Sequence, residues 1–72
     1  MRYYIGTEAE CNALNSELSN THFGGWNYGN VMETIDGDFY LMIREEDLHL
    51  LSDEQMMNVV DNVEPKVIDG AT

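Results

Sequence analysis

The chain has 72 residues, with 14 Asp or Glu against three Lys or Arg and a net charge of −11. That size makes one domain, residues 1–72, which buries only about 60% of its unfolded surface and is therefore marginal on its own. Its surface of roughly 4,500 Å² carries about one net negative charge per 400 Å², which repels nucleic acid and anionic lipid.

Arg2 to Ile5 is a short aromatic and β-branched run ending at Gly6, and reads as a first strand. Thr7-Glu8-Ala9-Glu10 fits a capping box, so a helix is expected from Thr7 to about Asn20. Glu8 and Glu10 fall in its first turn, where the helix dipole favours negative charge. Cys11, Leu14 and Leu18 form its apolar stripe, with Ala9 and Ala13 alongside, while Asn12, Asn15, Ser16 and Ser19 are placed on the solvent side. Cys11 on that stripe reads as a small buried hydrophobe.

His22 to Asn30 is a loop broken by three glycines and loaded with Phe23, Trp26 and Tyr28. These rings are expected to cap the core, with an exposed recognition loop as the alternative reading and Trp26 the residue expected to do both.

Val31 to Ile43 holds two β-prone runs around Asp36-Gly37, the strongest short-range hairpin signal. A two-residue type I′ turn pairs Thr34 with Phe39, Met32 with Leu41 and Val31 with Met42. One face then carries Met32, Thr34, Phe39, Leu41 and Ile43, and the helix is expected over it. The other carries Val31, Glu33, Ile35, Tyr40, Met42 and Arg44. Both are largely apolar, and so small a chain covers one of them. Val31, Ile35, Tyr40 and Met42, with Trp26, are thus the expected partner interface.

Arg44-Glu45-Glu46-Asp47 reads as a solvated charged corner. Leu48 to Leu51 fits a short strand or a helical turn equally well. Ser52-Asp53-Glu54-Gln55 is a second capping box, and a helix of about ten residues is expected before Pro65. Lys66 to Asp69 is a candidate edge strand.

The expected fold is α+β: a small antiparallel sheet of the 31–43 hairpin and the first strand, packed by one main helix and a short C-terminal helix.

Little in the residues points to catalysis. Cys11 and His22 lie three helical turns apart, too far for a nucleophile and its base. His22 and His49 match no Cys at zinc-ligand spacing, so no metal or other cofactor is expected. Asp36-Gly37-Asp38 starts like a calcium loop but continues with Phe, Tyr and Leu. GGWNYGN matches no phosphate-binding glycine pattern. No run of about 18 apolar residues spans a membrane, and MRYYIG lacks the apolar core of a signal peptide. With only Arg2, Arg44 and Lys66 as bases, direct phosphate binding is not expected.

Two non-enzymatic readings follow. In the first, the chain docks through its second apolar sheet face onto another protein or a copy of itself. In the second, it is an acidic inhibitor that mimics DNA and occupies a protein that normally holds nucleic acid. Ten of its acids lie between Glu33 and Glu64, and Glu45, Glu46, Asp47, Asp53 and Glu54 are the candidate acidic cluster.

The opening RYYIGTEAECNALNSEL resembles the N-terminus of small uncharacterised proteins of tailed bacteriophages. The matching residues are Tyr4, Ile5, Gly6, Thr7, Glu8, Ala9, Glu10 and Cys11, and the stretch covers about a quarter of the chain. The acidic middle is longer than in those proteins, and the aromatic-proline ending is missing. The resemblance implies a phage origin, no catalytic residues, and a place in the virion or the host cytoplasm. Such proteins are commonly virion parts or host-takeover inhibitors; a minor virion or tail-associated structural component, bound to virion proteins or to copies of itself, is the expected function, with a DNA-mimic inhibitor of a host nucleic-acid-binding or defence protein as the alternative.

Overall fold

A computed structural model describes residues 1–66. In chain order it contains β1 (Arg2–Gly6), α1 (Glu8–His22), β2 (Val31–Glu33), β3 (Phe39–Ile43), a 3₁₀ segment (Glu45–Leu50), α2 (Asp53–Met56) and β4 (Val59–Val60). The four strands form one antiparallel sheet in the order β2-β3-β1-β4. The fold is α+β, with the helices packed on the sheet.

α1 begins where its cap dictates. The Thr7 hydroxyl accepts from the Glu10 amide at 3.1 Å, and Glu10 Oε1 accepts from the Thr7 amide at 2.9 Å. Cys11, Leu14 and Leu18 are buried along one stripe, against Tyr4, Leu41, Ile43 and Leu51. Burial, seconded by the nearby Glu10 charge, pushes the Cys11 thiol up to about 11, so it stays protonated and serves as packing. The helix runs two residues past the expected end, and Gly24, at φ 63°, stops it; the Gly25 amide then closes onto the Ser19 carbonyl at 2.7 Å.

The hairpin departs from the expected register by one residue. Val31 faces Leu41, Met32 faces Tyr40 and Glu33 faces Phe39. Its loop has three residues, Ile35-Asp36-Gly37, closed by Thr34 N–H to Asp38 C=O at 2.7 Å and Gly37 N–H to Thr34 C=O at 3.1 Å. A type I′ turn would need positive φ at both Asp36 and Gly37. The observed turn needs it only at Gly37, at φ 91°, and no non-glycine residue described has a positive φ. The Thr34 hydroxyl also accepts from the Asp38 amide at 3.0 Å, which ties the longer turn shut.

A one-residue slip moves every β2 side chain to the opposite face. Val31 therefore packs towards the core with Leu41, beneath α1, and Met32 joins Tyr40 and Met42 on the other face. Ile35 leaves the strand for the turn. Phe39 and Leu41 lie on the α1 side as expected.

The C-terminal part also differs. Ser52 caps α2 through a full capping box with Gln55, but the helix makes one turn instead of ten residues. Val59 and Val60 instead add β4 beside β1, and the Ile5 amide bonds the Asn58 carbonyl at 2.9 Å. β-branched valines suit that edge, and the edge amides of β1 need acceptors. Residues 48–51, ambiguous in sequence, belong to the 3₁₀ segment and its end. Pro65 then bridges Thr34, and the Lys66 amide bonds the Glu33 carbonyl at 3.0 Å. β4 lies on one edge of the sheet and Pro65 beyond the other, so residues 61–64 cross the sheet. The expected 66–69 edge strand falls, beyond Lys66, outside the described residues.

Candidate functional site

The second sheet face keeps part of its apolar surface in contact with water. Met32 is 49% exposed and Met42 44% exposed, and Met1 is more exposed still. Between Met32 and Met42 lies Tyr40, at 7%, flanked by Ile5 and Met32 across the strands and stacked edge-on against Tyr3 with ring centroids 5.7 Å apart. Together with Tyr28, Gly29, Asn30 and Arg44, these methionines and Tyr40 line a groove of about 470 Å³.

The groove's upper wall is built by the loop after α1, and polar residues of α1 hold that loop. Asn15 Nδ2 donates to Asn27 Oδ1 and to the Gly29 carbonyl, and its Oδ1 accepts from the Gly29 amide, each at 3.0 Å. The Ser19 hydroxyl donates to the Asn15 carbonyl at 2.7 Å and accepts from the Tyr28 amide at 2.8 Å. Asn15 and Ser19 thus do not face solvent as expected; Ser19 is buried. Helical spacing placed them off the apolar stripe, but a loop folding back over the helix has backbone groups to satisfy.

Tyr28 ends that loop in a small charged network. Its hydroxyl donates to Asp47 Oδ2 at 2.8 Å and accepts from the Arg44 amide at 3.2 Å. Arg44 Nε donates to the same Asp47 oxygen at 2.9 Å, and its guanidinium lies over the Tyr28 and Phe23 rings at 5.2 and 5.5 Å. Burial alone would raise the Asp47 carboxyl. The Tyr28 and Arg44 hydrogen bonds, with the Arg44 and His49 charges, outweigh it and hold the carboxyl below its ordinary value.

Asp47 is only 7% exposed, so it does not belong to a solvated corner. Two more members of the expected acidic cluster are drawn into ion pairs. Glu45 pairs with the Met1 ammonium at 3.2 Å and Arg2 at 3.9 Å, and Glu46 with Arg44 at 3.7 Å. Asp53 and Glu54 sit in the first turn of α2, and Glu54 lines a separate cleft of about 310 Å³ against α1. Exposed pairs of this kind contribute little stability.

Of the expected interface residues, Tyr40 and Met42 lie on the second face, as expected. Val31 lies on the opposite, helix-covered face, and Ile35 is exposed in the turn. Trp26 is 81% exposed and lies outside the groove lining; it does not cap the core, whereas Phe23 and Tyr28 are half-buried and pack on each other at 5.0 Å. Sequence reasoning missed Met32 and Met1. The signal for Met32 was Thr34-Ile35-Asp36-Gly37, which reads equally as a three-residue hairpin loop with glycine at its left-handed position.

Among the described residues, no group of three or more His, Cys, Asp or Glu is placed to hold a metal ion, and no helix is long and apolar enough to cross a membrane. No protein-family model, no curated protein and no solved structure matches the chain.

Proposed function

We propose that this chain is a small, acidic, non-enzymatic interaction protein that docks on another protein through the face carrying Met1, Met32, Tyr40 and Met42. The N-terminal resemblance suggests the setting: a minor virion or tail-associated structural component of a bacteriophage. One observation carries the docking. Three methionines surround a groove on a sheet whose opposite face is sealed by α1. Thioether side chains are flexible and polarizable, and clustered exposed methionines suit a surface that must fit a partner's shape. The observed register puts Met32 in the place expected for Val31, and Met1 joins it in the groove lining.

The test compares two variants for co-sedimentation with virions from the source cells. Met32→Asp/Met42→Asp should keep the far-ultraviolet circular dichroism of the parent and lose association. Met57→Asp, altered at a methionine exposed outside the groove, should keep both. Equal association by the two variants would remove the docking face. Competition with DNA for basic proteins, fading as salt rises and insensitive to Met32 and Met42, would put DNA mimicry in its place.

A further inference from the structure

We infer that the groove takes a basic amphipathic protein segment, one that presents apolar side chains to the methionines and Lys or Arg on either flank. The inference rests on the docking reading above and adds the chemistry of the partner.

The charge pattern selects the occupant. Every fixed cation of the chain is already matched: Arg2 by Glu45 and Asp61, Arg44 by Glu46 and Asp47, Lys66 by Glu33, and the Met1 ammonium by Glu45. The two cations at the groove itself, Arg44 and the Met1 ammonium, are among these, so they offer no free charge to an acidic partner. Glu45 and Glu46 remain largely exposed at that end. At the other end, past Met32 and Tyr40, lies the hairpin turn. There Asp36, Asp38 and Glu64 are exposed and make no ion pair among the described residues, and Glu64 is held beside the turn by its carbonyl, which accepts from the Ile35 amide at 2.9 Å. The groove therefore has an apolar stretch of Met32, Tyr40 and Met42, with its two cations already paired and exposed carboxylates lying beyond both ends. A segment with cations flanking an apolar stretch matches it. A second copy of the chain does not, because it brings another net charge of −11 to the same surface.

The test uses the full chain labelled with ¹³C at its methionine methyls. There are five such signals, and Met56 and Met57 serve as internal references. Three synthetic peptides carry the same apolar residues with Lys, Gln or Glu at the flanking positions. The Lys peptide should shift Met1, Met32 and Met42 and leave Met57 in place, with affinity falling about tenfold as salt is raised past physiological strength. Asp36→Asn/Asp38→Asn/Glu64→Gln should weaken the Lys peptide about tenfold and leave the Gln peptide unchanged. Equal shifts by all three peptides would overturn the basic partner while leaving the docking face standing. No shift with any peptide, together with a concentration-dependent dimer in light scattering, would place a second copy in the groove instead. No shift and a monomer at all concentrations would remove both the partner and the face.

Discussion

The two faces of one four-stranded sheet have unlike fates. On the α1 side Leu41 and Ile43 are fully buried beside Tyr4, and Cys11, Leu14 and Leu18 of α1 close over them. On the other side the alternate residues of the same strands, Met32 and Met42, keep nearly half their surface in water. The strands carry apolar side chains on both faces, so hydrophobicity alone does not distinguish them. The distinction lies in supply: among the described residues there is one long helix, and it covers a single face. The α1 face holds most of the buried core, whereas the second face sets a buried Tyr40 between half-wet methionines.

The largest test of that contrast is Leu41→Ala. It should remove about 3 kcal/mol in urea unfolding, a large part of the about 4–11 kcal/mol expected for a chain of this length, because it opens a cavity in the packed layer. Met42→Ala, its neighbour on the open face, should cost below about 1 kcal/mol, since much of its surface is already wet. Equal losses would mean the second face is as tightly packed as the first.

Asn15→Ala should come next, at about 2 kcal/mol. It deletes three hydrogen bonds that pin the loop to α1 and leaves the Gly29 amide and carbonyl without partners. Amide exchange at Gly29 should speed up in this variant more than exchange within β3.

Gly37→Ala should cost about 1 kcal/mol. A Cβ there meets no atom within 4 Å, so the penalty is the left-handed backbone alone. A neutral result would show that the hairpin had moved to another turn, and with it Met32 to the helix side.

The smallest effect is read from pH. The Asp47 carboxyl is held below its ordinary value, so its contribution is fully present above the ordinary carboxyl range of about 4 and is lost as pH falls through the lower folded value. The stability gap between the parent and Asp47→Asn should therefore hold at pH 6 and narrow below about pH 4. A gap that stays constant down to pH 2 would show that Asp47 does not titrate with folding.

These tests follow how far the fold could be read in the sequence. The Thr7 and Ser52 caps, the Cys11-Leu14-Leu18 stripe and the existence of the hairpin all depend on residues within a few positions of one another. Asp36-Gly37 marked the turn, but two loop lengths share that signal, and their difference decides whether Val31 or Met32 faces the helix. Asn15 and Ser19 looked like solvent positions because their partners lie 9 to 14 residues away. The valines at 59 and 60 continued a helical pattern until the free edge of β1 claimed them.

By itself, the sequence determined the acidic balance, the capped helix, the buried stripe and an antiparallel sheet with grease on both sides, because composition and short-range spacing carry those. Only the tertiary structure decided which β2 residues reach the open face, that Asp47 turns inward to Tyr28 and Arg44, and that residues 61–64 cross the sheet. Those outcomes depend on backbone groups, far apart in the chain, that must find one another's hydrogen bonds once the helix has taken its side.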